Sequence, residues 1–217
     1  MDSAFSSILL IIFLSGILLL LLQGRKEFGI RNIVSASSAD ISLNRFVREG
    51  PEEMNSRKNY YFSEESVISM SHRYNGKFDA AILKWDTGPI LVSIIERKYP
   101  RSILPDKGKP EDVFQASLYV LALKEKGISV KTTQVIVVYC LQDKAIKCMK
   151  NGGSLNCIKC GQGKIFKSQF NEKKTLKHLK ELDEIWYEGR KPKPKASHDN
   201  CRVCPFSNSR KCIHSVV

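Results

Sequence analysis

Cysteine, histidine and acidic residues are scarce or unevenly spread in this sequence. No cysteine precedes Cys140, so a thiolate site has to be built from the C-terminal part of the chain. Asp2 is the only charged residue from Met1 to Ser7, and this lack of basic charge excludes the usual start of a cleaved signal peptide. Acidic residues number 22 against 35 basic ones, and the formal charge of +13 favours an anionic partner.

One long apolar run stands at the N-terminus, from Ile8 to Leu22, broken only by a serine and a glycine. With the residues before it, this run predicts a membrane-spanning helix over residues 4–23. The basic residues that follow it are Arg25, Lys26 and Arg31. By the positive-inside rule, this asymmetry predicts an N-terminus outside the membrane and a cytoplasmic remainder. Reduced cysteines suit that compartment.

The chain behind this segment has the size of one folded domain, since roughly 190 residues remain for a core. We predict a linker with a helix over residues 24–59. A folded core is predicted over residues 60–190, with a Gly- and Lys-rich insertion at 143–163. A basic, proline-containing tail occupies 191–217. The basic excess is greatest from Lys144 to Lys195, far from the apolar run, so nucleic acid matches this charge better than lipid does.

A β-hairpin is predicted near the middle of the chain. Strands are expected over 77–84 and 90–99, on either side of the turn residues 86–89. Because side chains alternate along a strand, Glu96 and Lys98 should share one face while Arg97 points to the other. The hairpin is then able to bring Asp79 beside Glu96.

Two carboxylates and an amine at one point indicate metal-ion chemistry at a phosphate group. Mg²⁺ prefers carboxylate oxygen, keeps several waters and also binds phosphate oxygens, so Asp79 and Glu96 suffice as protein ligands at a phosphodiester. A bound ion lowers the pKa of its water and offsets charge on the phosphate. Lys98, charged beside two acids, is expected to stabilise the charge that develops on the substrate.

A helix is predicted over 110–125, where Gln115 and Tyr119 lie four residues apart and therefore on one face. Their amide and phenol groups are suited to contact a substrate backbone or to brace metal ligands. His72 precedes Asp79 on what the pattern predicts to be the same strand, and a surface or structural role is expected for it. Further downstream, strands are predicted over 134–140 and 164–170.

A second amphipathic helix is predicted over 172–188. Its apolar stripe should pack against the sheet, with Trp186 as part of that packing.

The seven cysteines are spaced for a metal rather than for disulfides. Cys157 and Cys160 form one CxxC pair, and Cys201 and Cys204 form another, with Cys212 close behind. Two pairs suit tetrahedral Zn²⁺, whereas the trio of Cys201, Cys204 and Cys212 with one outside thiolate suits a [4Fe–4S] cluster. Either group would tie the tail to the core and contribute folding free energy.

The segments GKFDAAI, IIERKYP and QASLY, with the C-terminal CRVCP and Cys212, resemble the RecB-type PD-(D/E)xK nucleases. The nearest branch in this likeness is the CRISPR-associated exonuclease family that contains an iron–sulfur cluster. The resemblance spans roughly Glu64 to Cys212 at the level of motifs. It implies an α/β fold with a central mixed sheet flanked by helices, here with an N-terminal transmembrane helix and a C-terminal cysteine-metal module.

The same resemblance implies a role for each residue of the candidate site. Asp79 and Glu96 would bind Mg²⁺ or Mn²⁺, Lys98 would be catalytic, and Gln115 with Tyr119 would belong to the downstream motif. The expected substrate is single-stranded DNA, cut exonucleolytically. The resemblance favours the iron–sulfur cluster, with Cys160 or Cys157 as the fourth ligand.

Two family features are missing: a histidine ligand upstream of the aspartate, and a cysteine on the N-terminal side of the core. The first leaves open a membrane-anchored nucleic-acid-binding protein with an inactive nuclease fold. The seven cysteines leave open a redox or metal sensor.

Overall fold

The computed structural model describes residues 12–16, 36–52, 58–151, 163–192, 194, 196–209 and 211–217; the side chains of Met149 and Asp199 are also left aside. The chain divides into two compact units, residues 1–175 and 176–217. In the described residues, no helix has both the length and the apolar character needed to cross a bilayer. The predicted anchor over residues 4–23 lies mostly outside the described residues and stays a prediction.

Unit one is built on a mixed sheet. The strands are β1 (Ser37–Ser38), β2 (Asn59–Ser63), β5 (Ala80–Trp85), β6 (Pro89–Lys98), β7 (Gln134–Tyr139) and β8 (Lys164–Gln169). Their order across the described sheet is β1-β2-β5-β6-β7-β8. Two pairs, β1 with β2 and β6 with β7, are parallel, and the remaining neighbours are antiparallel. With helices flanking it, this sheet gives the α/β architecture that the sequence predicted.

A small hairpin of β3 (Ser66–Ser69) and β4 (Tyr74–Lys77) stands apart from the main sheet. It is joined to helix α2 (Pro110–Glu125), where the Tyr74 hydroxyl donates to the carbonyl of Leu118 at 2.7 Å. At the end of α2, the Glu125 carboxylate accepts from the Ser69 hydroxyl and, at 3.0 Å, from the N–H of Met70. The β3–β4 hairpin is thus fixed to one side of α2.

Helix α2 has the signals expected at both of its ends. Pro110 lies in the first turn, where its missing N–H costs nothing, and the acids Glu111 and Asp112 complement the positive end of the helix dipole. Just beyond the helix, Gly127 has a φ of 86°, the left-handed conformation that glycine favours after a helix end. The predicted bounds of this helix are confirmed.

The sheet buries both faces. On the face covered by α2, the fully buried side chains include Phe78, Leu83, Leu91 and Ile94, and helix α1 (Leu43–Glu49) adds Phe46. On the other face, Ile82, Ile95, Ile136 and Val138 form a second buried cluster. Phe46 also packs edge-on against Trp85 at 5.5 Å between ring centroids. Burial on both faces makes the end of strand β6 a rigid place for functional side chains.

The predicted strand over 77–84 is wrong in one respect. The chain leaves the small hairpin at Lys77 and enters the main sheet only at Ala80, so Phe78 and Asp79 form the junction between two sheets. The Glu64 N–H donates to the Asp79 carbonyl at 3.3 Å and the Phe78 N–H to the Glu65 carbonyl at 3.2 Å, which fixes this junction.

The placement of His72 is also corrected. It lies in the turn between β3 and β4 and not on a strand with Asp79, because Arg73 adopts a φ of 56° and reverses the chain there. His72 stacks on Tyr74 with 6.5 Å between ring centroids.

The insertion after β7 begins with helix α3 (Gln142–Lys150). Residues 152–162, which include Cys157 and Cys160, lie outside the described part of the chain. Helix α4 (Glu172–Trp186) starts in unit one and continues into unit two. The expectation that Trp186 is packed is wrong, since this residue at the helix end is 75% exposed.

Unit two also contains the short helices α5 (His198–Val203) and α6 (Pro205–Asn208). Helix α5 is capped by Ser197, whose hydroxyl accepts from the N–H of Asn200 at 3.3 Å. This is the usual way in which a serine satisfies the free N–H groups of a first helical turn.

Candidate active site

The β5–β6 hairpin brings two acids together at its open end. Ala80 pairs with Ile95 as the last pair of the hairpin, and Asp79 and Glu96, the next residues outward, are near enough for the Asp79 charge to act on Glu96. One carboxylate oxygen of Asp79 accepts from the Arg97 backbone N–H at 2.5 Å. Burial raises the pKa of Asp79 above its ordinary value, against the lowering effect of Arg97. Asp79 and Glu96 therefore lie close to each other, as the predicted hairpin requires.

Glu96 is a buried carboxylate, with a side chain that is 5% exposed. One of its oxygens, Oε1, lies 2.9 Å from the Lys98 ammonium nitrogen. The other, Oε2, is fully buried and has no hydrogen-bond partner among the described residues. Burial, with a contribution from the Asp79 charge, raises the pKa of Glu96 despite the opposing bond from Lys98. A buried carboxylate oxygen without a partner is costly unless a cation or proton satisfies it.

Lys98 is surrounded by oxygen acceptors. Besides Glu96, its ammonium nitrogen donates to Gln115 Oε1 at 2.7 Å and lies 3.6 Å from Asp112 Oδ1. Burial lowers the pKa of Lys98, but the hydrogen bond and charge of Glu96, with those of Asp112, outweigh it and raise the pKa above its ordinary value. These acceptors therefore favour the charged ammonium form of Lys98.

One face of α2 supplies the remaining polar groups. Gln115 uses both ends of its amide, since Oε1 accepts from Lys98 while Nε2 donates to the Tyr119 hydroxyl at 2.9 Å. The Tyr119 ring contacts Phe78 edge-on, with 6.5 Å between ring centroids. Burial raises the pKa of Tyr119, and the charges of Glu96 and Asp79 act in the same direction. The structure thus brings all five predicted residues of this motif into one neighbourhood.

Asp112 belongs to the same network, although sequence reasoning missed it. Its Oδ2 accepts from the Tyr139 hydroxyl at 2.5 Å, while its Oδ1 faces Lys98. A signal was present in the sequence, since residues 112, 115 and 119 lie on one helical face. The contribution of Tyr139 had no such signal, because it depends on which strand pairs with β6.

Arg97 points to the opposite face of the sheet, as alternation predicted. Its guanidinium donates to the Tyr61 hydroxyl at 3.0 Å, on the side of the second buried cluster. Its backbone N–H donates to Asp79, and its positive charge, like that of Lys98, favours the ionised form of that carboxyl against the effect of burial.

The acid pair fits Mg²⁺ or Mn²⁺. Glu96 Oε2, which has no hydrogen-bond partner within the described residues, is a hard oxygen donor in a buried position, and the Asp79 carboxylate is the second acid of the pair. Within the described part of the chain, no three His, Cys, Asp or Glu side chains converge on one point. Two carboxylates remain compatible with Mg²⁺, which completes its shell with water and substrate phosphate.

The cysteines of unit two form no such group among the described residues. Cys201 is buried, whereas Cys204 and Cys212 are partly exposed, and all three are free thiols. The Cys204 N–H donates to the Cys201 carbonyl at 3.2 Å, so the CxxC pair lies at the junction of α5 and α6. With Cys157 and Cys160 outside the described residues, the iron–sulfur and zinc alternatives both stay predictions.

No known protein-family model matches this chain, and no curated protein matches it significantly. The nuclease resemblance therefore rests on sequence motifs and stays a prediction. One fold can support many unrelated activities, so function depends on the chemistry of the site.

Proposed function

We propose that this protein is a metal-dependent nuclease that hydrolyses DNA phosphodiester bonds, acting on single strands. The observation that carries the proposal is the environment of Glu96. A carboxylate that is 5% exposed keeps one oxygen for which the described part of the chain offers no hydrogen-bond partner, next to the acid Asp79 and the ammonium of Lys98. A divalent cation would relieve both the unpaired oxygen and the repulsion between the two acids.

Asp79 and Glu96 would hold Mg²⁺ or Mn²⁺, which supplies Lewis-acid chemistry and an activated water when bound. The protein's own part is positional and electrostatic. The Arg97 N–H fixes the Asp79 carboxylate at the hairpin end. Lys98 presents a positive charge that offsets the charge developing on the scissile phosphate.

Gln115 and Tyr119 complete the site on the helix side. Gln115 holds Lys98 through its carbonyl oxygen and directs the Tyr119 hydroxyl through its amide N–H. A phenol held in this way offers a hydrogen bond to a phosphate oxygen of the substrate. The preference for exonucleolytic attack on single strands comes from the family resemblance, and the formal charge of +13 is consistent with a nucleic-acid substrate.

Membrane tethering is part of the proposal. The apolar run from Ile8 to Leu22 would hold the enzyme at the membrane with its catalytic part in the cytoplasm. Fractionation of cells that express the tagged chain would test this: the protein should sediment with membranes and resist extraction by alkaline carbonate. Recovery in the soluble fraction would remove this part of the proposal and leave the nuclease untouched.

The nuclease itself is tested with the 217-residue chain in detergent, end-labelled single-stranded DNA and Mn²⁺. Glu96→Gln should abolish cleavage, and Lys98→Met should reduce it to a low residual rate. Glu49→Gln, an exposed acid on α1, is the matched control and should cleave like the wild type. Equal cleavage by all variants, or none by the wild type, rejects the proposal. DNA binding without any cleavage would favour the inactive-fold alternative.

A further inference from the structure

Asp112, on the first turn of α2, links the two strands that end at the site. Lys98 and Tyr139 are partner residues in the parallel pairing of β6 and β7, so their side chains emerge side by side. Asp112 contacts both of them: Oδ2 accepts from the Tyr139 hydroxyl at 2.5 Å, and Oδ1 lies 3.6 Å from Lys98 Nζ. Its side chain is 14% exposed, so this arrangement is largely shielded from water.

Tyr139 is itself fixed. Its hydroxyl oxygen accepts from the backbone N–H of Lys109 at 3.0 Å, while its proton goes to Asp112. With one oxygen of Asp112 occupied in this way, the other is left to face the ammonium of Lys98. The orientation of the carboxylate is therefore set by groups that a substrate need not touch.

We infer that Asp112 is a positioning residue that holds the Lys98 ammonium in place for the nuclease reaction, an inference that rests on the function proposed above. Lysine has a long, flexible side chain, and its position depends on its acceptors. A cation at Glu96 would repel the ammonium that shares this carboxylate. Asp112 is a second carboxylate within reach, and it attracts the lysine from the other side.

Asp112 differs from the metal-binding acids. Among the described residues, no group of three acidic, cysteine or histidine side chains converges on one point. The contacts of Asp112 are to Tyr139 and to Lys98. An ordinary structural role also has to be considered, since an acid in the first turn of a helix stabilises that helix.

The experiment measures single-turnover cleavage of end-labelled single-stranded DNA by the 217-residue chain, in Mn²⁺, over a range of DNA concentrations. Asp112→Asn should lower the maximal rate roughly ten- to a hundredfold, because misplaced catalytic groups cost about that much, while half-saturation changes little. Tyr139→Phe should lower the rate in the same direction. Asp86→Asn, the same change at the exposed hairpin turn, is the matched control and should leave the rate unchanged.

A double-mutant cycle with Lys98→Met identifies the route of the effect. If Asp112 acts through Lys98, Asp112→Asn should have no further effect on the residual rate of Lys98→Met. A merely structural role predicts the same fold loss in both backgrounds, together with a lowered melting temperature.

An unchanged rate in Asp112→Asn, or an additive loss in the Lys98→Met background, overturns the inference while the nuclease proposal stands. A wild-type protein that fails to cleave rejects the proposed function itself. The two failures are therefore distinguishable.

Discussion

Gly76 lies directly against the ring of Tyr119. A Cβ at residue 76 would come within 2.6 Å of Cε1 of that ring, closer than real side-chain contacts allow. Strand β4 therefore approaches α2 as closely as it does because residue 76 has no side chain. In this way the small β3–β4 hairpin sets the position of a phenol in the candidate active site.

Gly76→Ala should displace the Tyr119 ring and impair the site. We expect a loss of stability of roughly 1–3 kcal/mol from overpacking, measured by urea denaturation, and a clear drop in DNA cleavage. Gly88→Ala is the control, because a Cβ at that turn position meets nothing within 4 Å. Equal behaviour of the two variants would contradict the role of the close approach.

Glu96→Gln should stabilise the metal-free protein at neutral pH while it removes activity. The folded-state pKa of Glu96 is raised above its ordinary value of 4.5, chiefly by burial. Stability from such a group is complete below the unfolded pKa and is lost as pH rises through the folded pKa. An uncharged amide avoids this loss.

The measurement for Glu96→Gln is thermal unfolding in EDTA, for variant and wild type, from acidic to neutral pH. The difference in melting temperature should increase as pH rises, and added Mn²⁺ should stabilise only the wild type. A variant that is less stable than the wild type at neutral pH, without metal, would show that the buried charge of Glu96 does not destabilise the fold.

Tyr119→Phe tests the hydroxyl without disturbing the ring. The ring contact with Phe78 is retained, whereas the acceptor for Gln115 Nε2 is lost. We expect a stability change of about 1 kcal/mol, typical of one hydrogen bond, and a larger proportional fall in cleavage rate. An unchanged cleavage rate would remove Tyr119 from the site, even if the stability change were as expected.

Glu125→Gln should loosen the β3–β4 hairpin. Burial raises the pKa of Glu125, but hydrogen bonds from Ser69 and from the backbone of Ser71 and Met70 outweigh it and lower the pKa. The stabilisation is therefore present above the unfolded pKa and is lost as pH falls through the folded pKa. Urea denaturation should show a deficit for the variant at neutral pH that shrinks in acid. A deficit independent of pH would contradict this assignment.

The metal of the cysteine module is decided by a spectrum of anaerobically purified protein. An iron–sulfur cluster should give a brown protein with broad visible absorption, abolished in Cys204→Ser and retained in Cys148→Ser on α3. Zinc would give a colourless protein that contains the metal by elemental measurement. A protein with neither metal would reject the module as predicted.

Much of the site followed from local sequence patterns. Strand alternation predicted that Glu96 and Lys98 share a face and that Arg97 leaves it, and the bonds to Lys98 and Tyr61 agree. The four-residue spacing of Gln115 and Tyr119 predicted one helical face, and their side chains are hydrogen-bonded. These patterns are reliable because the periods of strands and helices are fixed by backbone geometry.

Other features could not be read from local patterns. Residues 77–84 have the composition of one strand, yet the chain changes sheet at Asp79 because β4 pairs with β3 and β5 with β6. Trp186 lies in an amphipathic stretch but is exposed. Periodicity shows which face of a helix is apolar; it does not show how far packing extends along it.

The sequence alone determined the identity and order of the charged groups and the local elements that present them: a hairpin with Asp79, Glu96 and Lys98, followed by a helix with Gln115 and Tyr119. Tertiary structure alone decided that β7 lies parallel to β6, which brings Tyr139 beside Lys98 and Asp112 over both. The physical reason is the separation along the chain of the residues that interact. Local geometry depends on neighbouring residues, whereas strand pairing depends on free energy summed over contacts that are distant in the chain.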